Sequence, residues 1–500
     1  MECCGNIGGG NITFQESLKA GIPPKLSSLS CNSVFSKYTF DVLQNSTESI
    51  IDLSLQIHQS LNPLTQSLEK YLSLGLLGSE DGKNHREPLN LMIVLDVSGS
   101  MSNNLSWKNN TQSKLELAKS CVKNIYNKLK DDERLGVVAF NDKPLLVLEL
   151  QSKKDINKEK FFNLLDNLKA DGGTTLEAGY KPTIEMLQKQ IKNDFIDTNV
   201  NAFKPKNHRI IIITDAMINN QSEGDVLYNL NFEASKRPQN IFTTFIGVGV
   251  DFDTDLITKL TKVRGSNYFA VHTDEEFMKI LERDFNYIVT PLAFEVYGKI
   301  ASTKYEIERT HGSDFDFEGS EKADYLLEMK KGGVLRIETL LAYEKSEIGI
   351  KGGVILVKLK EKEEAKNDEI NEDYNIVVSV EYEDLDGKKL EVKKMIDAKQ
   401  FKEMKQQEFY QSSGGRKALL LSRYVSFVQE ILKDEKKFAK ENEKISRYVS
   451  FVQEILKDEK KFAKENEKII TYFQEEMKIL EDETLEDEFA NLKEIINLKL

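Results

Sequence analysis

Histidine, cysteine and tryptophan are scarce in this chain: five, four and one in 500 residues. His58, His85, His208, His272 and His311 stand singly, so no zinc motif can be assembled from neighbours in sequence. Cys3, Cys4, Cys31 and Cys121 form no CxxC frame. That usage excludes a disulfide scaffold and fits a reducing compartment. No apolar run approaches the length of a transmembrane helix. Positive charge is in deficit, with a net charge of −13, which argues against non-specific nucleic-acid binding. The first residues, MECCGNIGGGNITF, lack the basic and apolar regions of a secretory leader, so a cytoplasmic protein is expected. Lipidation of Cys3 and Cys4, with peripheral membrane association, is the alternative. Catalytic signatures are also missing. There is no Walker motif and no G-x-S-x-G elbow, and Gly247-Val248-Gly249 is not a dinucleotide loop. A non-enzymatic protein is expected.

What is present begins with LNLMIVLDVSGSMS, from Leu89 to Ser102. A continuous apolar run of this length reads as a strand buried on both faces. It delivers Asp96 to its end, followed by Ser98 and Ser100 with Gly99 between them. Open parallel α/β sheets place their ligands just past the carboxyl ends of the strands. Carboxylate and hydroxyl oxygens there suit a hard divalent cation, Mg²⁺ above all, with Mn²⁺ or Ca²⁺ as alternatives.

Five hundred residues predict several domains. Residues 1–35 are Gly/Ser/Asn-rich and expected to be mobile. Residues 36–88 hold short apolar stretches, read as a small β layer on the central domain, and then a linker. From 89 to 285 strand and helix patterns alternate, which predicts a doubly wound α/β fold with a parallel sheet covered on both faces. LGVVAF (135–140) and LLVLEL (145–150) lie too close together for a crossover, so that pair is expected as an antiparallel hairpin. Residues 286–400 carry short strand patterns, including KYEIER, YLLEMK and YNIVVSVEYED, and predict a β-sandwich. Residues 401–500 read as helical, with coiled-coil-like Lys/Glu pairing.

That last segment contains a verbatim tandem repeat, SRYVSFVQEILKDEKKFAKENEKI at 422–445 and again at 446–469. On a straight helix, copies spaced like this are rotated by about 120°, so one continuous face cannot serve both. Such a repeat in an otherwise non-repetitive chain reads as a recent duplication or a sequence artefact.

Two further pieces complete a pattern. Asp171-Gly172-Gly173-Thr174-Thr175 is a tight turn between helices, and Thr214-Asp215 ends the apolar strand RIIII. In a parallel sheet these pieces and the Asp96 loop converge on one edge. The combination D-x-S-x-S, G-G-T and T-D resembles the metal-ion-dependent adhesion site of von Willebrand factor A domains. The order of the segments further resembles bacterial and protist A-domain proteins labelled inter-α-trypsin-inhibitor heavy-chain-like or calcium-activated chloride-channel-like. By that resemblance Ser98, Ser100 and Thr174 would ligate a metal through hydroxyls, and Asp96 and Asp215 would act directly or through water. Thr175 is the alternative to Thr174.

The implied function is metal-dependent adhesion to a protein partner presenting Asp or Glu, with the C-terminal helices available for self-association. Two other readings stand beside it: a membrane-associated regulator of ion transport, and a scaffold subunit of a larger complex. Trp107, in the loop after Ser102, is either a partner contact or packed on the domain.

Overall fold

The apolar run Leu89–Asp96 is the centre of a six-stranded sheet. A computed structural model describes residues 29–42, 49–78, 87–104, 112–196, 207–215, 221–248, 259–271, 278, 280, 284–313, 332–342, 349–363, 375–403, 408–442 and 467–498. The strands of this sheet are β1 (Leu89–Asp96), β2 (Arg134–Phe140), β3 (Pro144–Ser152), β4 (Asn207–Thr214), β5 (Ile241–Val248) and β6 (Asn267–Val271). Their order is β3-β2-β1-β4-β5-β6. β1 runs parallel to β2 and β4, and β5 runs parallel to β4 and β6. β3 folds back on β2 as the expected antiparallel hairpin.

Alternate side chains of β1 enter two different cores. Leu91, Ile93 and Leu95 pack with helix α1 (Lys114–Lys128) and helix α2 (Lys158–Asp166). Met92 and Val94 pack with helix α3 (Leu176–Ile196) and helix α4 (Gln221–Ser235). Burial on both faces is why the strand reads as an unbroken apolar run. β1 is also where the chain changes direction, toward β2 on one side and β4 on the other. Ligands of open α/β sheets lie at such a switch point.

The β region departs from the expected division. A four-stranded sheet is built from 333–341, 291–302, 375–383 and 389–397, in that order. The second sheet has five strands, 305–311, 354–361, 68–78, 51–61 and 409–410. Strands 51–61 and 68–78 therefore do not form a separate layer on the α/β unit. They sit inside the β-sandwich, and 68–78 pairs antiparallel with 354–361. The α/β unit is inserted between two halves of one body.

The C-terminal helices join the same core. Leu419, Leu420, Tyr424, Val425 and Val428 from helix Ser413–Asn442, and Leu492 and Ile495 from helix Glu486–Leu498, pack with the sandwich. Tyr424, Val425 and Val428 of the first repeat copy thus pack onto the chain's own β body. Most of the second copy lies outside the described residues. So do Cys3, Cys4, Trp107, the YLLEMK segment, the first half of the helix expected at 254–263 and most of that expected at 274–284.

The sandwich docks on the amino-terminal edge of the α/β sheet. Gly265 N donates to Thr339 Oγ1 at 2.7 Å, and the Phe242 and Phe294 rings lie 5.2 Å apart. Glu383 of the sandwich accepts from Arg237 at 2.8 Å and from Arg264. The carboxyl edge, where Asp96 and Asp215 lie, is at the opposite end of these strands.

Candidate metal centre

β1 ends at Asp96, and the chain then enters a 3₁₀ turn, Gly99–Ser102. Asp96 is 0% exposed. Its carboxylate accepts from Ser98 N at 2.8 Å and from the Thr214 hydroxyl at the end of β4. Burial raises its pKa, against the pull of these hydrogen bonds. Among the described residues it has no cationic partner.

Ser98 Oγ and Ser100 Oγ are 3.1 Å apart. Ser100 Oγ donates to Asp215 Oδ1 at 2.7 Å, across the gap between β1 and β4. The two serines and the two aspartates are thus linked around the ends of two neighbouring strands. The second aspartate carries a cation: Lys114 Nζ donates to Asp215 Oδ2 at 2.9 Å.

The Asp171–Thr175 turn is stitched to this loop by backbone. Asp171 N donates to Val97 O at 2.9 Å, and Gly99 N donates to Gly172 O at 3.1 Å. Gly172 has φ +78°, and Gly173 N donates to Asp142 Oδ2 at 2.8 Å. A Cβ on Gly173 would lie 2.4 Å from Asp142 Oδ1, so both glycines have geometric reasons. Thr174 and Thr175 are exposed beside the loop. The Thr174 hydroxyl makes no hydrogen bond among the described residues. The fold therefore brings Asp96, Ser98, Ser100 and Asp215 into one hydrogen-bonded group and places Thr174 on the adjoining turn.

Lys114 and Asp142 carry no signal in the sequence. Lys114 is the first residue of α1, and its reach to Asp215 spans 101 positions. Asp142 reads as a hairpin-turn residue, and its hold on the glycine turn requires β2 and α3 to be adjacent.

The donor set is oxygen only, with two carboxylates and neutral hydroxyls, and it fits a hard divalent cation. A buried carboxylate without a cationic partner is costly, and among the described residues Asp96 has none. The residues present are thus compatible with such an ion, with Lys114 as the single departure.

Residues 91–217 match the family profile described as the von Willebrand factor type A domain, a span containing all five sequence-predicted ligands. An uncharacterized protein of Synechocystis sp. is 28% identical over 244 residues, covering 47% of this chain and 51% of that protein. The chain thus spans about half the length of the curated relative it matches. Among solved structures, a von Willebrand factor type A protein from Catenulispora acidiphila is 13% identical with a TM-score of 0.41, covering 71% of this chain and 74% of that one. The ArnB paralog VWA2 from Sulfolobus acidocaldarius is 11% identical with a TM-score of 0.37, covering 90% and 97%. With the profile match over 91–217 and the motif residues gathered at one sheet edge, the chain carries a von Willebrand factor type A domain.

Proposed function

We propose that this chain is a non-enzymatic adaptor whose A domain binds an acidic protein partner through a divalent cation, Mg²⁺ first. The observation that carries the reading is the linked set Ser98, Ser100 and Asp215 beside the buried Asp96, which has no cationic partner among the described residues. Domains of this type commonly mediate protein–protein interactions. Asp96, Ser98, Ser100, Thr174 and Asp215 would hold the ion. When bound, it supplies a positively charged coordination position for a partner's Asp or Glu carboxylate.

The chain's own part is to present and to exclude. Ser98 and Ser100 offer oxygens without adding negative charge, so attraction for an incoming carboxylate is preserved. The sandwich docks at the far edge of the sheet, which leaves the candidate edge clear of it. No helix among the described residues is long and apolar enough to cross a membrane.

Isothermal titration of the full chain with MgCl₂ and MnCl₂ tests the site. Wild type should bind with Asp215-dependent affinity, and Asp215→Ala should lose at least about tenfold. Equal affinity in the two proteins would reject the assignment. Pull-down with and without EDTA tests the partner: capture that survives EDTA would reject metal dependence.

A further inference from the structure

We propose that Lys114 is an internal cation that neutralises Asp215 in the metal-free domain, and that a divalent ion and the Lys114 ammonium exchange at that carboxylate. This inference rests on the metal-site reading above and names how that site is regulated.

The Asp215 side chain is 1% exposed and both of its oxygens are engaged. Oδ1 accepts from Ser100, and Oδ2 accepts from Lys114 Nζ at 2.9 Å. The Lys114 side chain is itself only 12% exposed. An ion pair removed from water in this way is not a loose surface contact. Its position also runs against local preference. Lys114 is the first residue of α1, where the unpaired backbone N–H groups favour negative charge. Glu116 in the same turn partly offsets that repulsion. A lysine held at a helix start, with its ammonium on a buried aspartate, is there because of the aspartate.

Charge then favours exchange over coexistence. Asp96 and Asp215 carry two negative charges, and a divalent ion alone balances them. With the Lys114 ammonium still on Asp215, the same site holds an excess positive charge, in a poorly solvated place where such repulsion is weakly screened. The tethered ammonium is therefore a competitor for the ion. It holds the empty site together and raises the concentration of metal needed to occupy it. Ser100, which donates to Asp215 Oδ1, must turn its hydroxyl proton away in the same event.

Two measurements on the full chain test this. Titration with MgCl₂ compares wild type, Lys114→Met, Lys114→Arg and Asp215→Ala. Lys114→Met, which keeps the length and removes the charge, should bind Mg²⁺ about tenfold tighter than wild type, and Lys114→Arg should stay within about threefold of it. Amine acylation of wild type, read by mass spectrometry, should label Lys114 several-fold faster in MgCl₂ than in EDTA, because the ion frees the ammonium. This second readout needs no variant to fold. If wild type shows Asp215-dependent Mg²⁺ binding but Lys114 labelling is unchanged, the exchange is overturned and the site stands. Lys114→Met binding within about twofold of wild type overturns it equally. If wild type binds Mg²⁺ no better than Asp215→Ala, the site reading fails and the exchange falls with it.

Discussion

At Gly172 the backbone sits at φ +78°, a region that side chains with a Cβ enter only at a cost. An added Cβ would also lie 2.9 Å from Asn141 Nδ2. Gly172→Ala should therefore lower stability by about 1–2 kcal/mol in urea denaturation. It should also weaken Mg²⁺ binding, because Gly172 O is the acceptor that ties the turn to Gly99. A fully wild-type titration curve would separate the turn from the site. The two glycines were legible from sequence as a turn. The residues that hold the turn, Asn141 and Asp142, were not, because they lie some thirty positions earlier in a hairpin that only folding brings alongside. The same limit hid Lys114, whose chemistry depends on an aspartate 101 positions away.

At the scale of elements, the alternation from 89 to 271 was readable because strands buried on both faces leave apolar runs and amphipathic helices leave a 3.6-residue period. How the α/β unit joins the rest was not readable. The joint centres on Glu383, which is 13% exposed and receives both Arg237 and Arg264. Burial alone would raise its pKa, but the hydrogen bond and charge of Arg264, with Arg237 behind it, hold it below the usual range. Arg264 also lies 3.9 Å above the Phe294 ring. Glu383→Gln leaves the Arg264 guanidinium without its carboxylate and should cost about 2–3 kcal/mol, less than a fully buried pair because Arg237 is partly solvated. Differential scanning calorimetry should then resolve the α/β unit from the sandwich. A single unshifted transition would show that Glu383 does not carry the joint.

Across the whole molecule, buried histidines set the acid limit. Burial pushes both His58 and His208 down to about 4. His58 Nδ1 accepts from Gln411 N at 3.3 Å, and its Nε2 lies 2.8 Å from Ser73 Oγ, so it is held neutral between the second sheet and the C-terminal segment. The unfolded chain takes up these protons below about pH 6.5 while the native chain does not until about pH 4. Stability is therefore full above about pH 6.5 and falls on acidification through that window, by about 1.4 kcal/mol per pH unit for each histidine once below the unfolded value. Urea midpoints between pH 7 and 5 should show this loss, and His58→Gln with His208→Gln should flatten it. An unchanged slope in the double variant would place the acid sensitivity elsewhere.

Strand 51–61 marks the boundary between what local pattern conveys and what folding adds. Its Asp52, Ser54, Gln56, His58 and Ser60 fall at alternate positions, with apolar residues between the first four, the signature of a strand with one face in water. In the structure all five are buried. Ser412 donates to Gln56, Ser60 donates to Glu408, and Arg423 Nη1 donates to Ser60, so residues some 350 positions later replace the solvent. Arg423 belongs to the first repeat copy and also pairs with Glu69 at 2.9 Å. Periodicity and turn chemistry are local, and they sufficed for the α/β unit, its hairpin and the edge on which Asp96 and Asp215 meet. Whether a polar face meets water or a distant helix, and whether an aspartate meets a lysine, depends on contacts between remote parts of the chain, and no local pattern encodes them.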